Sequence, residues 1–188
     1  MRWRGYPCRA MPIDLQPTLE GELITLRPLR ADDWDGLFAV ASDPLIWAQH
    51  PARDRHQREV FERFFREALE EAKTGTGGAF TVIDRSTGTI IGSTRYHGFD
   101  ADRSELEIGW TFLARSYWGG RYNGEMKRLL LNHAFTFARR AIFLVGVDNI
   151  RSQTAMERIG GVRSGFVDKV NVSGTLVRSI RYVIERPG

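Results

Sequence analysis

Trp118-Gly-Gly-Arg-Tyr-Asn-Gly-Glu125 marks the place where a strand hands over to a helix, and the rest of the chain can be read outward from it. Upstream, residues 105–112 alternate apolar and polar with period 2, as a half-buried strand does. Downstream, residues 124–140 carry Met126, Leu129, Leu130, Ala134, Phe137 and Ala138 at helical spacing, followed by a short apolar run at 142–147 of the buried-strand type. Strand, helix and strand in that order imply a parallel crossover in mid-sheet. Amides in a helix's first turn have no internal partner and the helix dipole adds positive charge, so this junction can hold an anion such as a pyrophosphate while glycines let the backbone approach it. The same glycines equally suit a plain helix-entry turn.

Further outward the elements alternate in type. Leu23-Ile-Thr-Leu-Arg27 is a strand stopped at Pro28, and Asp32 or Asp33 can cap a helix whose apolar side is Trp34, Leu37, Phe38 and Ala41. Residues 58–73 form a strongly amphipathic helix; 79–83, 89–97 and 105–112 form three strands of an antiparallel meander. A short helix at 150–159 stops at Gly160-Gly161, and strands at 166–172 and 176–184 close the chain as a hairpin around Ser173-Gly174. The architecture is α+β: a mixed, mostly antiparallel sheet with a central parallel pair and helices on both faces. Residues 1–20 read as a mobile tail and 21–186 as one domain.

Composition narrows the function. The 188 residues are 42% hydrophobic and 27% charged, ordinary for a globular domain. The net charge of +4 owes much to Arg2, Arg4 and Arg9, which leaves 24 basic against 23 acidic residues in the body. An evenly charged body argues against a dedicated nucleic-acid surface. Apolar runs are far short of the roughly 20 residues of a membrane span. The start lacks an apolar signal region, so the expected location is the cytoplasm, with Met11 a candidate start in place of Met1. Cys8 is the single cysteine, and His50, His56, His97 and His133 are scattered, so neither a disulfide nor a metal site is expected.

Three clusters can carry chemistry. At the glycine turn, Glu125 and Met126 stand where a P-loop needs Lys and Ser/Thr, and the dinucleotide-binding glycine spacing is missing, which disfavours metal-dependent nucleotide hydrolysis and a Rossmann site. In Val147-Asp-Asn-Ile-Arg-Ser152, Ser152 shares a helix face with Ala155, Met156 and Ile159, and Asn149 is placed to bond an amide-rich ligand between two strands or simply to cap the helix. In Glu105-Leu-Glu-Ile-Gly-Trp110, alternation sends Leu106, Ile108 and Trp110 to one face and both carboxylates to the other; Glu107, nearer the apolar middle, is preferred to Glu105 as a base. No Gly-x-Ser-x-Gly elbow is present. Trp47 and His50, in a Pro-bounded connection, are core or the mouth of a substrate site.

Taken together, Glu107-Ile-Gly-Trp110, then Trp118 to Gly124, a helix ending in His133-Ala-Phe135, and Asn149-x-x-Ser152 ahead of Ile159-Gly-Gly161 resemble the GNAT superfamily of acyl-CoA N-acyltransferases, most closely its Rim-type ribosomal-protein branch, over residues 23–184. The resemblance implies acetyl-CoA as co-substrate, with no metal, wedged between two splayed parallel strands. Phe112 and Leu113 would pair with pantetheine through their backbones, and Gly119, Gly120, Arg121, Tyr122, Asn123 and Gly124 would hold the pyrophosphate. Asn149 would touch the pantetheine arm, Ser152 would serve the leaving thiolate, and Glu107 would be the base. Arg121 and Asn123 replace small residues of the family loop, and no tyrosine stands at the usual thiol-side position. The implied partner is an amine, a protein N-terminus or a small molecule, and homodimers are frequent among similar enzymes. A non-catalytic acyl-CoA-binding module is the competing expectation.

Overall fold

The computed structural model describes residues 13–170 and 176–188. The basic start, Cys8, Met11 and the Ser173-Gly174 turn lie outside the described residues. In chain order the elements are β1 (Leu19–Glu20), β2 (Ile24–Pro28), α1 (Trp34–Ala41), α2 (Arg58–Glu71), β3 (Gly78–Asp84), β4 (Ile90–Asp100), β5 (Glu105–Leu113), α3 (Arg121–Ala134), β6 (Arg140–Gly146), α4 (Ile150–Arg158), β7 (Val162–Val170) and β8 (Leu176–Glu185). The strands form one sheet in the order β1-β2-β3-β4-β5-β6-β8-β7, antiparallel throughout except for the parallel pair β5 and β6. Residues 13–20 pack on this unit: Leu15 is buried, Leu19 pairs with Leu26, and His133 Nε2 lies 2.7 Å from the carbonyl of Asp14.

The sheet has a core on each face. Met126, Leu130 and Ala134 of α3 and Met156 of α4 close over Leu26, Val82, Leu106, Ile108 and Phe143 on one side. Leu37 and Ala41 of α1 and Phe61, Phe64, Phe65 and Ala68 of α2 close over Ala79 and Phe112 on the other. The i, i+3, i+4, i+7 spacing in α2 buries one face and leaves the intervening charges in water. Asp33 directly precedes α1, but its carboxylate does not cap that helix. It is buried and accepts hydrogen bonds from the Arg27 guanidinium (2.5 and 2.8 Å), the Thr81 hydroxyl (2.6 Å) and the backbone N–H of Arg30 (2.9 Å), pinning α1 to β2 and β3.

Two local readings need correction. α3 starts at Arg121, three residues before Gly124, and ends at Ala134 rather than near Arg140. Trp110 does not continue the alternation of Leu106 and Ile108. Its φ is +51°, and the pairing of β4 with β5 steps from Arg95↔Gly109 to Ser93↔Phe112, so two residues of β5 oppose Thr94 alone. This β-bulge reverses the phase, and Trp110 packs on the α1–α2 face beside His97, on the same side as Glu107. Period counting cannot see an inserted residue.

Candidate active site

The bulge also shapes the site. β5 and β6 pair only from Glu105↔Arg140 to Glu107↔Ile142; beyond those residues the facing edges have no ladder partner in each other. A bulged strand bends and twists more strongly, which turns β5 away from β6 at the point where the parallel pairing stops. The opening leads into a cavity of about 800 Å³ lined by Glu107, Phe112, Leu113, Gly119, Gly120, Asn123, Gly124, Asn149 and Ser152 together with residues of the α1–α2 connection. That connection is fastened across the gap. Arg151 lies over the Trp118 ring (3.7 Å) and donates to the Ile46 carbonyl (3.2 Å), while a Cβ on Gly146 would come within 2.8 Å of Pro51.

At one end of the cavity stands the glycine turn. Gly119 and Gly120 have φ of +102° and +124°, conformations that L side chains rarely adopt, and a Cβ at either would meet no atom within 4 Å. Steric crowding by protein therefore does not explain them; the backbone path does, and it leaves open space above the turn. No side chain caps α3, and its first helical bond runs from Gly124 N–H to Gly120 O (2.7 Å). The amides of Arg121, Tyr122 and Asn123 are thus left without helical partners, while that of Gly124 is used. The side chains divide differently. Asn123 lines the cavity; Arg121 and Tyr122 do not, and Tyr122 packs edge-on against Tyr117. Glu125 is turned the other way, accepting from the backbone N–H groups of Glu22, Leu23 and Ile24 at 2.8–2.9 Å. Burial would raise its pKa, but those three bonds and Arg128 hold it below the usual carboxylate range.

Glu107 lines the cavity, mostly buried, with Lys169 Nζ at 3.8 Å and His97 opposite it on β4. Burial raises its pKa above the ordinary value; Lys169 and His97 pull the other way, and Glu71 adds to the rise. Glu105 is differently placed: Arg140 and Arg181 each approach its carboxylate to 3.1 Å. Ser152 is half-buried in the first turn of α4 and faces the cavity with Ala155, Met156 and Ile159. The Asn149 side-chain oxygen accepts from Ser152 N–H (3.1 Å), so Asn149 both caps α4 and lines the cavity. Phe112 is buried against Trp47, Phe61 and Phe64, and the Leu113 carbonyl accepts from the Trp118 indole (2.9 Å).

Sequence reasoning missed two cations in the cavity. Lys127, on α3, is buried with Nζ 3.1 Å from Thr111 Oγ1 and 5.0 Å from the Phe143 ring centre, and burial pushes its pKa down to about 7. Its signal was there: position 127 precedes Leu130 by three residues and Ala134 by seven, which is core spacing for a residue type that is rarely buried. Arg55, before α2, is buried against Phe64 and Trp47; it lies in the polar run Arg53-Asp-Arg-His56, which gives no hint of burial. Trp47 and His50 do line the cavity, and Trp47 is also core, its indole N–H donating to the Ala41 carbonyl (2.7 Å). Behind Glu107, Glu71 of α2 binds both Arg95 (2.9 Å) and His97.

Among the described residues no group of three or more His, Cys, Asp or Glu side chains is placed to hold a metal, and no helix is long and apolar enough to cross a membrane. The site thus combines a bulged strand splayed from its parallel neighbour, a helix without a side-chain cap at one end of the cavity and a mostly buried carboxylate on its wall. Residues 24–162 match the acetyltransferase (GNAT) domain, and the chain belongs to that family. An uncharacterized N-acetyltransferase, p20, of Bacillus licheniformis is 29% identical over 123 residues, covering 63% of this chain and 66% of the relative, just under two thirds of its length. A GCN5-related N-acetyltransferase from Brucella melitensis shares the fold with a TM-score of 0.78 at 23% identity, over 93% of this chain and 80% of that one. Mycobacterium smegmatis RimJ, solved with CoA-disulfide, does so with a TM-score of 0.71 at 18% identity, over 92% and 88%. Ribosomal-protein acetyltransferases of the RimJ type are therefore among the structural neighbours, most of which are acetyltransferases described only generically.

Proposed function

We propose that this enzyme transfers an acetyl group from acetyl-CoA to a primary amine by direct attack, without a covalent enzyme intermediate. One observation carries the reading: the gap between β5 and β6 joins a turn of unpartnered amides at its mouth to a buried carboxylate on its wall in a single cavity. The amides of Arg121, Tyr122 and Asn123 hold the diphosphate, with Gly119 and Gly120 letting it approach. Since Glu125 and Met126 occupy the positions a P-loop gives to Lys and Ser/Thr, the grip needs no divalent cation. The edges of β5 and β6 beyond their parallel pairing and the side chain of Asn149 flank the pantetheine arm; Phe112 pairs with Ser93 of β4 and the Leu113 carbonyl is taken by the Trp118 indole, so of these two residues the Leu113 N–H is the backbone group left to meet it.

Glu107 is the base. Its raised pKa favours accepting a proton from an ammonium ion, directly or through water, which frees the nitrogen lone pair for attack on the thioester carbonyl. Collapse of the tetrahedral adduct expels the thiolate, and the Ser152 hydroxyl, in the first turn of α4, stabilises or protonates it. The second carboxylate, Glu105, is neutralised by two arginines and takes no part. Acceptors are protein N-termini or small amines.

The test is thiol release from acetyl-CoA across peptide N-termini and small amines. Release that requires an amine and fails in Glu107→Gln supports the reading. Tight CoA binding with no release across the panel would replace it with a non-catalytic acyl-CoA-binding module.

A further inference from the structure

We infer that the acceptor amine carries a carboxylate and that Arg55 is the residue that binds it, a deepening that rests on the acyl-transfer reading above. Arg55 lies in the connection entering α2, 9% exposed, with its guanidinium carbon 4.3 Å from the Phe64 ring centre and 5.2 Å from that of Trp47, and it lines the cavity. Among the described residues its side chain makes no hydrogen bond, no carboxylate comes within 4.0 Å of it, and Nη1 is sealed from solvent without a partner. Arg95, the other buried arginine against Phe64, also has unpartnered nitrogens (Nε and Nη2), but it has a counter-ion: Glu71 holds its Nη1 at 2.9 Å.

A buried cation with no counter-ion normally resolves the conflict by losing its proton, and a lysine would. Arginine does not: burial and the neighbouring Arg95 lower its pKa only to about 10, so at neutral pH the charge stays and an anion is wanted. Aromatic faces stabilise a guanidinium but satisfy none of its five N–H donors. Asp54 and Glu67 line the same cavity, yet neither reaches ion-pair distance.

Position selects which anion. Arg55 sits on the α1–α2 face, where its neighbours Trp47 and Phe64 pack on Phe112; Glu107 and Trp110 of β5 face that same side. The glycine turn that would take the coenzyme's diphosphate enters α3, which covers the opposite face. The anion at Arg55 is therefore on the acceptor's side of the thioester. A planar fork of N–H donors matches a carboxylate in bidentate fashion. His50 adds a donor: its Nδ1 accepts from Ala52 N–H (2.9 Å), which places the proton on Nε2. Burial and the charges of Arg55 and Arg151 keep that ring neutral, with a pKa of about 3. The acceptor class is thus an amino acid or another amine bearing a carboxylate, rather than an ordinary peptide N-terminus, whose neighbouring group is a neutral amide.

The experiment is thiol release by the full chain with matched pairs, amino acids against their carboxamides, with the amine and carboxylate separated by one, two or three carbons. The wild type favours the acid of the best pair on the order of 100-fold in kcat/KM. Arg55→Met collapses that ratio through KM for the acid, and Arg55→Lys keeps part of it while retaining the charge. Equal turnover of acid and amide by the wild type, or an unchanged ratio in Arg55→Met, overturns the inference while leaving the acyl-transfer reading standing. Absence of release with every amine would instead sink that reading. In that event, calorimetry with N-acetyl amino acids and their amides still decides the role of Arg55: binding of the acid that Arg55→Met abolishes supports it, and equal binding of both refutes it.

Discussion

Replacing Lys127 by methionine is expected to stabilise the protein at neutral pH, and the gain should vanish as pH rises. Lys127 is 4% exposed, its amine meets one hydroxyl, and burial brings its pKa from an ordinary 10.5 to about 7. Between those two values the unfolded chain carries a proton that the folded chain does not, so folding stability rises with pH across that window. At about 1.4 kcal/mol per pKa unit the deficit at pH 7 has a ceiling of about 4 kcal/mol. Methionine fills a similar volume without a charge, and loss of the bond to Thr111 takes back about 1 kcal/mol. Urea unfolding of both proteins at pH 6.5, 7.5, 8.5 and 9.5 isolates this one group, because every other titration is common to the pair. The variant should lead by about 2–3 kcal/mol at pH 7.5, with the lead shrinking by about 1 kcal/mol or more per pH unit up to pH 9.5. A variant less stable than wild type at every pH, or a difference independent of pH, would refute a buried, deprotonating amine at this position.

Other outcomes follow from the site. Glu107→Gln should lower kcat by roughly 10²–10⁴ with CoA affinity kept, and should abolish the acid limb of the pH profile, which in the wild type lies above the ordinary glutamate range because burial raises the pKa. Gly120→Ala puts a Cβ on a residue at φ +124°; the open space shows that the cost is conformational, about 1–3 kcal/mol, so the melting temperature should fall by several degrees and CoA Kd should rise about 10-fold or more as the turn relaxes, measured by thermal unfolding and calorimetry. Ser152→Ala should slow thiol release at saturating substrate, with CoA Kd within about 3-fold of wild type, since the Asn149 cap on its backbone N–H remains.

The element order was legible because long amphipathic helices and alternating strands announce themselves by period, and the α2 face (Phe61, Phe64, Phe65, Ala68) and the Leu106–Ile108 face lie where that period puts them. The side of the sheet taken by Glu107 was readable for the same reason, and Ser152 faces inward as its α4 neighbours required. Trp110 was not readable, because one extra residue at a bulge shifts the phase and nothing in its side chain advertises a positive φ. The start of α3 was misplaced because glycine at 124 reads as a boundary, whereas the boundary is set by the backbone at Gly119 and Gly120. Arg55 depends on tertiary closure of the α1–α2 connection over Phe112, a long-range event that leaves no local pattern.

In the proposed function the amides at the start of α3 grip a diphosphate unaided by metal. Calorimetry of CoA against the full chain in the presence of excess EDTA tests it: saturable one-to-one binding, weakened in Gly120→Ala, is the expected result. No binding at millimolar CoA, or binding that returns only when magnesium is restored, would contradict it.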